Sequence, residues 1–392
     1  MSDKKPNQKE KRNAKGGGSV RQRPDGKWEA RCTINGKSRS FYADKQADAL
    51  KLMRDAQKAV DDQTYVEPSK LTVGQWLDIW LEEYYKPSVK PTTYIHTTKY
   101  IRLHIRPELG NYKLQQLSSI HIQRALNKFR NKNNLSPAYI KILYAKISCS
   151  LSKAKQLGFI KINPCESCTI PKSPKQEMCT LSEAEIKTFL EKLEQIKKIY
   201  RDMLKITLFT GMRRGELLGL AWNNIDFKNG TITINQQLVS EHAKKVCGKN
   251  YYISSTKNGK PRTITPAPFV MAILKETRHD QLKNQLALGQ AWNNPDNLVF
   301  TNKLGHHISH TTIFENFKKV VKSIGREDMR FHDLRHTYAV MCLQEGDSPK
   351  TVQQNLGHAT ANFTMDVYAH VSEKMKKDSA ERIQKYYEKF NA

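Results

Sequence analysis

The chain has 392 residues, and its 66 lysines and arginines outnumber its 38 acidic residues, giving a formal charge of +28. This excess argues against an ordinary metabolic enzyme that handles small cations and favours a polyanionic partner, nucleic acid ahead of an anionic membrane. No apolar run approaches the roughly 18 residues of a membrane helix, and the basic start lacks the apolar segment of a signal peptide. We therefore expect a cytoplasmic protein with no membrane partner, built from two or three domains.

The seven cysteines are too few and too scattered for a disulfide framework. Cys165 and Cys168 form one CxxC pair, and Cys179 follows eleven residues later. A structural zinc site needs two such pairs, and no second pair follows. The pattern predicts free thiols in a reducing compartment and no bound metal or other cofactor.

The first 17 residues are polar and basic, so we expect a disordered tail that could lie along phosphates. Residues 18–65 then alternate with a period of two around the turn Asn35-Gly36, which predicts a three-stranded sheet followed by a helix over about 46–61. One face of this sheet is predicted to be basic and to enter a DNA groove, although a merely solvated face is the alternative. The candidate DNA contacts, all predicted to lie on this one face, are Arg21, Arg23, Lys27, Arg31, Lys37 and Arg39.

Residues 69–161 show helical spacing of apolar side chains, with Pro91 and Pro137 in first-turn positions. They predict a helical bundle of four or five helices with short connections. Lys99 and Arg102 fall on the outer face and are further candidate DNA contacts. The prolines of residues 162–178 then indicate an inter-domain linker.

Residues 179–392 are predicted to form a mainly helical domain with a small antiparallel sheet. A capping box from Thr180 to Glu183 is expected to start its first helix. Strands are expected around 230–239, 250–257 and 261–265, with a hairpin around 298–308. The complete chain is therefore predicted to be a multidomain α+β protein.

Four segments of this last domain hold candidate catalytic side chains: 210–217, 256–259, 331–337 and 356–370. Arg213 directly follows a glycine turn, and Lys257 lies beside a hairpin turn. His332 and Arg335 are three residues apart, on one face if helical. Taken singly, each of these residues is better explained as a surface or core residue. Carboxylates near them are dispersed, so the two-metal cluster of a nuclease is not indicated.

Taken together and in this order, the segments resemble the tyrosine recombinases, specifically the integrases of phages and conjugative transposons. The resemblance covers nearly the whole chain and is carried by the strings TGMRRGELLGLAW, FHDLRHTYA and LGHATANFTMDVYAH. The family pattern is matched by Arg213, Lys257, His332, Arg335, His358 and Tyr368. Lys260, three residues from Lys257, is the alternative for the lysine position. The resemblance implies an arm-binding sheet, a helical core-site-binding domain and a catalytic domain.

The residue types suit transfer of a phosphodiester. Two guanidinium groups can fork onto the non-bridging oxygens, where the transition state concentrates negative charge. A tyrosine phenol has a free pKa of about 10 and needs help to lose its proton, and His332 is the candidate to assist. His358 would contact the phosphate and Lys257 would protonate the leaving oxygen. By resemblance, Tyr368 becomes linked to a 3′-phosphate and frees a 5′-hydroxyl.

The leading hypothesis is a bacterial, nucleoid-associated integrase that integrates and excises a mobile element. The resemblance implies core-type and arm-type sites on double-stranded DNA, a homotetramer on that DNA, and the excision factor and host DNA-bending protein that this family commonly uses. It also implies that the terminal helix docks on a neighbouring protomer, whereas the sequence equally allows docking in cis. The alternatives are a type IB topoisomerase-like relaxer and a DNA-binding regulator without catalysis.

Overall fold

A computed structural model describes residues 18–62, 65–131, 134–172, 179–240, 251–256, 259–357, 380–381, 383–384 and 386–390. The chain divides into two compact units, Met1–Pro174 and Lys175–Ala392. Within the described ranges, no helix is long and apolar enough to cross a membrane. The tail 1–17 and the linker segment 173–178 lie outside these ranges.

The first unit begins with the expected antiparallel meander. Its strands, in the order β1-β2-β3, are β1 (Ser19–Gln22), β2 (Trp28–Ile34) and β3 (Lys37–Ala43), and helix α1 (Gln46–Asp61) follows. Asn35 and Gly36 both have positive φ, at 47° and 76°, as the two-residue turn requires. Helix α1 covers one face of the sheet because its apolar stripe packs there. The buried residues of this small core are Ala30, Cys32, Ile34, Ala49 and Met53.

The register of β2 and β3 corrects part of the predicted basic face. Lys37 lies opposite Ile34, and Arg39 lies opposite Cys32. Directly paired residues share a face of a sheet, so both cations project on the α1 side and away from Arg31. Both form ion pairs with Glu67. The prediction that Lys37 and Arg39 share one face with Arg31 is therefore wrong.

The rest of the first unit is the predicted helical bundle. Helix α2 (Val73–Ile79) continues through a π-helical stretch (Trp80–Tyr85) and a 3-10 turn (Lys86–Ser88), and α3 (Pro91–Tyr100) continues through a second π-helical stretch (Ile101–Ile105) into α4 (Arg106–Leu109). A 3-10 turn (Leu114–Gln116), α5 (Ser119–Asn131) and α6 (Pro137–Gln156) complete the bundle. Ser136 caps α6 by accepting a hydrogen bond from the Tyr139 backbone nitrogen. Trp76 is fully buried and donates its indole N–H to the Ser150 carbonyl at 3.1 Å.

Residues 163–168 pack onto this bundle, although the sequence places them in the linker. They include a 3-10 turn (Pro164–Ser167), and Cys165 has no exposed surface. The Tyr144 hydroxyl donates to the Cys165 carbonyl at 3.0 Å. Burial raises the pKa of the Cys165 thiol to about 12, so this cysteine is a neutral packing residue.

The second unit is mainly helical. Its helices are α7 (Glu183–Leu193), α8 (Lys198–Thr210), α9 (Arg214–Leu218), α10 (Pro268–Leu288), α11 (His310–Ser323), α12 (Asp333–Gln344) and α13 (Pro349–Leu356). Short 3-10 turns occupy Trp222–Asn224 and Gly289–Ala291. The helices enclose one large core whose fully buried members include Phe189, Leu204, Leu217, Phe317 and Leu334.

The described part of this unit also contains two small antiparallel sheets. One contains β4 (Ile225–Asp226), β5 (Thr231–Ile234) and β8 (Arg262–Ile264) in the order β4-β5-β8, and the other pairs β6 (Gln236–Ser240) with β7 (Tyr251–Ser255). The strand expected over 230–239 is thus two strands in different sheets. The hairpin expected around 298–308 is reduced to a single bridge between Thr301 and His307.

The first helix of this unit starts two residues later than predicted. Ser182 is its N-cap and exchanges capping hydrogen bonds with Glu185, in place of the Thr180–Glu183 box. Arg326 explains the shift because it donates to both the Thr180 carbonyl and the Glu185 carboxylate. Thr180 is therefore held outside the helix.

Candidate active site

Arg213 is presented by a sharp turn between α8 and α9. Gly211 ends α8 with φ of +63°, and Arg213 is the N-cap of α9. A Cβ at residue 211 would lie 2.5 Å from Leu356 Cδ2 and 2.6 Å from Tyr338 Cδ1. Glycine is therefore needed for both the left-handed backbone and the close approach of α12 and α13.

Glu216 fixes the Arg213 side chain. Its carboxylate has no exposed surface and accepts the Arg213 backbone N–H at 2.9 Å and Nη1 at 2.7 Å. The same carboxylate accepts both terminal nitrogens of Arg262, at 3.0 and 2.6 Å. Burial alone would raise the Glu216 pKa, but the hydrogen bonds and charges of the two arginines outweigh it and lower that pKa to about 2. Glu216 is therefore an ionised group that orients its neighbours.

Arg262 is a site residue that the sequence analysis did not identify. It begins β8 within an otherwise unremarkable Pro-Arg-Thr-Ile string, 46 residues from its partner Glu216. An arginine opening a short apolar strand was the only local indication. Only the folded second unit brings it to Glu216.

Arg335 is a buried cation whose contacts are backbone carbonyls. It lies in the first turn of α12 and is 1% exposed. Its terminal nitrogens donate to the carbonyls of Gly211 and Leu356, while its Nε has no acceptor among the described residues. Burial and the charge of Arg213 lower its pKa to about 9. A buried guanidinium without a contacting carboxylate is costly, and a bound anion would relieve that cost.

His332 lies at the N-terminus of α12, beside Arg335. His332 as a whole residue is exposed to solvent. The centre of its ring lies 4.9 Å from the centre of the His336 ring, in an edge-to-face arrangement. Desolvation, together with the neighbouring charges of His336 and Arg335, lowers the pKa of His332 to about 4. The ring is therefore neutral at pH 7 and can accept a proton. Asp333 secures this turn by accepting the Arg330 backbone N–H at 2.7 Å.

The three remaining predicted catalytic residues, Lys257, His358 and Tyr368, lie outside the described residues. The described residues nearest to Lys257 are Thr256 and Gly259. Thr256 is buried, its Oγ1 donates to the Lys260 carbonyl at 3.1 Å, and its carbonyl accepts the Gly259 N–H at 3.0 Å. Lys260, the alternative to Lys257, is exposed.

Four of the predicted DNA contacts of the first unit lie on or near the outer face of the sheet. Arg21 and Arg31 lie on the outer face of the sheet, where both bind the carboxylate of Glu29. Glu29 is only 3% exposed, and hydrogen bonds from Ser40 and Arg21 lower its pKa to about 2. The other residues on or near this face are Arg23, whose guanidinium lies 5.3 Å from the Tyr42 ring, and Lys27 in the β1–β2 turn.

The helical bundle exposes both of its predicted contacts. Lys99 and Arg102 lie on the solvent side of α3 and its π-helical extension, opposite the buried Ile101 and Ile105. Within the described parts of both units, no cluster of three or more His, Cys, Asp or Glu side chains could hold a metal ion.

Two family models match the chain. The phage integrase family covers residues 180–375, and the N-terminal SAM-like domain of phage integrases covers residues 72–130. A protein described as tyrosine recombinase XerC-like, from Caldanaerobacter subterraneus subsp. tengcongensis, is 30% identical over 370 residues, which are 89% of this chain and 92% of that protein.

Solved integrases share the fold. The Tn1549 transposon integrase in complex with a circular intermediate DNA superposes with a TM-score of 0.67 at 20% identity, covering 80% of this chain and 99% of that one. A lambda integrase tetramer bound to a Holliday junction gives a TM-score of 0.54 at 18% identity, covering 87% and 96%. The chain belongs to the phage integrase family of tyrosine recombinases, the enzymes of site-specific DNA recombination.

Proposed function

We propose that this recombinase integrates and excises a mobile element through a 3′-phosphotyrosine intermediate, with Arg213 and Arg335 holding the scissile phosphate. The observation that supports this most directly is the convergence of the two arginines. Arg335 donates to the carbonyls of Gly211 and Leu356, and Arg213 donates to the adjacent Gly357 carbonyl. Two guanidinium groups tied to the same two segments form a cationic site suited to one phosphate.

The proposed reaction begins when the Tyr368 oxygen attacks phosphorus and its proton passes to neutral His332. The bond between phosphorus and the 5′-oxygen then breaks, and Lys257 protonates that oxygen. His358 donates a hydrogen bond to the phosphate during this exchange. The phosphotyrosine bond conserves the energy of the phosphodiester, so a 5′-hydroxyl of a second strand can reverse the reaction without ATP.

The proposed charge arrangement makes the ability of His332 to accept a proton depend on bound DNA. Burial, and after it the charges of cationic neighbours, lower the pKa of both His332 and Arg335 in the free protein. A phosphate between them would offset these repulsions and make His332 a stronger proton acceptor. Proton transfer from Tyr368 would therefore be favoured only when the substrate is bound.

The remaining parts of the proposal concern assembly. The outer face of the sheet would bind arm-type sites, and the bundle together with the catalytic unit would bind core-type sites. Four copies would act together on the DNA, in line with the lambda integrase tetramer. The protein would act at the nucleoid in the bacterial cytoplasm, with an excision factor and a host DNA-bending protein setting direction.

Covalent trapping tests this function. A nicked duplex carrying the attachment site of the element is incubated with the protein in the presence of a chelator, and denaturing gels reveal any adduct. Wild type should form an adduct, and Tyr368→Phe should bind the DNA without forming one. An adduct in Tyr368→Phe, or none in the wild type on a site it binds, would contradict the assignment. Synapsis of two labelled duplexes distinguishes a recombinase from a DNA relaxer.

A further inference from the structure

Arg262 uses its whole guanidinium group on acceptors within the second unit. Its terminal nitrogens fork onto the two oxygens of Glu216, at 3.0 and 2.6 Å. Its Nε donates to the carbonyl of Asn355 at 2.8 Å. The side chain is only 10% exposed. Arg262 is therefore an internal clamp that joins Glu216 to Asn355. An arginine that contacts DNA would instead extend outward from the protein.

The end of α13 collects three arginines from distant parts of the chain. Successive carbonyls accept from them, Asn355 from Arg262, Leu356 from Arg335 and Gly357 from Arg213. A helix leaves its last carbonyls without intrahelical partners, so this terminus offers acceptors that point in one direction. The next residue along the chain is His358.

Gly357 permits the contact with Arg262. It has φ of +65°, and a Cβ at this position would lie 2.9 Å from Arg262 Cδ. The stem of the arginine therefore packs directly against the helix terminus. Arg262 also begins β8, five residues after Lys257, so the clamp joins the strand that follows Lys257 to the segment that precedes His358.

We propose that Arg262 is a positioning residue of the recombination reaction, acting through Glu216 on Arg213 and through the end of α13 on the phosphate site. This inference rests on the proposed function of Arg213 and Arg335. Glu216 can hold Arg213 in one rotamer only while its carboxylate stays ionised and oriented. Arg262 supplies the second cation and two of the four hydrogen bonds that meet this carboxylate.

Among the described residues, the charged groups facing Glu216 are Arg213, Arg262 and, at longer range, Arg335. Removing Arg262 leaves the burial of the carboxylate opposed mainly by Arg213. The pKa of Glu216 should then rise, and the carboxylate should become protonated at a pH where the wild type is still ionised. The rate needs neutral His332 as well as ionised Glu216, and we expect the raised pKa of this buried carboxylate to pass that of His332, so that the rate falls off at a higher pH on the acid side.

The test is the rate of adduct formation on the nicked duplex at saturating DNA, measured across pH for wild type, Arg262→Gln and Arg262→Lys. Arg262→Gln should lose about 10²-fold in rate at pH 7, because a small misplacement of Arg213 is costly, while its DNA affinity stays unchanged. Its acid limb should move to higher pH. Arg262→Lys should restore the acid limb but only part of the rate, because an ammonium cannot fork onto Glu216 and reach Asn355 together.

Arg201→Gln is the matched control. Arg201 also bridges two carboxylates, those of Asp202 and Glu194, and is 24% exposed, but it lies outside the phosphate site. It should lower the melting temperature without moving the pH profile. A wild-type rate and profile in folded Arg262→Gln would overturn the inference, and so would a rate loss fully explained by weaker DNA binding. If Arg262→Gln does not fold, an acid limb in Arg262→Lys that differs from wild type would overturn it.

The rate of adduct formation by Arg213→Ala distinguishes this inference from the proposed function. Loss of adduct in Arg213→Ala with a normal Arg262→Gln overturns only the positioning role. A fully active Arg213→Ala contradicts the proposed function itself, because Arg213 would then not hold the scissile phosphate.

Discussion

Arg335 in the first turn of α12 donates a 2.7 Å hydrogen bond to the carbonyl of Gly211, which precedes it by 124 residues. The glycine turn that presents Arg213 and the helix that presents Arg335 are thereby locked together. Since Arg335 is 1% exposed, this hydrogen bond is shielded from water and stronger than a surface contact. The proposed phosphate site is therefore built into the core of the second unit.

The first prediction concerns Arg335. Arg335→Lys should lower the rate of adduct formation by about 10²–10³-fold, because one ammonium cannot both bind phosphate and reach two carbonyls. It should also destabilise the protein by about 1–3 kcal/mol, since a buried carbonyl loses its donor. Arg330→Lys is the control, because Arg330 is 56% exposed. Equal effects of the two substitutions on rate would contradict the role given to Arg335.

The second prediction concerns acid stability. The folded pKa of Glu216 is lowered to about 2 from an ordinary 4.5, so its stabilising contribution is complete above pH 4.5 and is lost as pH falls toward 2. Linkage puts that contribution at about 3 kcal/mol. In chemical denaturation, Glu216→Gln should be less stable than wild type at pH 7, and the difference should shrink as pH falls below 4.5. A difference that is constant across this window would show that Glu216 does not stabilise as an anion.

A partly exposed carboxylate provides the comparison for that series. Glu185 pairs with Arg326 and is 32% exposed. Glu185→Gln should cost less than about 1 kcal/mol at pH 7, because solvent screens the pair.

The third prediction follows the protonation of His332. In the free protein, its pKa of about 4 makes the ring neutral from pH 5 upward. Binding of DNA should raise that pKa, because the phosphate offsets the nearby cations. Imidazole chemical shifts measured across pH, with and without DNA in Tyr368→Phe, would follow this change. His332→Ala should slow adduct formation by about 10²–10⁴-fold, whereas His279→Ala on the exposed side of α10 should not.

The fourth prediction divides the basic residues of the sheet. Arg21→Ala and Arg31→Ala should weaken arm-site binding and each reduce the slope of log affinity against log salt by about 1. Lys37→Ala and Arg39→Ala should change that slope little, because these side chains lie on the α1 side and pair with Glu67. A larger salt effect for Lys37→Ala or Arg39→Ala than for Arg31→Ala would contradict the prediction that only cations on the outer face of the sheet contact DNA.

The family resemblance singled out Arg213 and Arg335, whereas the sheet, the bundle and the helical second unit were predictable from the residue pattern itself. Local chemistry determines these features, since Gly211 forces a turn and Pro91 and Pro137 begin helices. The hairpin register was also available locally, because a two-residue turn pairs Ile34 with Lys37. Grouping the cations by charge alone was therefore the error at Lys37 and Arg39.

Other features depended on contacts far apart in sequence. Arg262 meets Glu216 across 46 residues and Asn355 across 93, and no local periodicity predicts either pairing. The capping box of α7 was misplaced because Arg326, far along the chain, holds the Thr180 carbonyl. Residues 163–168 resemble a linker in composition, yet Cys165 fills the core of the bundle.

The most direct test of the account replaces one non-bridging oxygen of the scissile phosphate with a methyl group, which removes its charge. If Arg213 acts by neutralising that charge, Arg213→Ala should form adduct about 10²–10³-fold more slowly than wild type on the normal phosphate. On the uncharged methylphosphonate duplex, the two proteins should react at similar rates. An Arg213→Ala protein that is equally impaired on both duplexes would contradict the account, because its defect would then not lie in the charge of the phosphate.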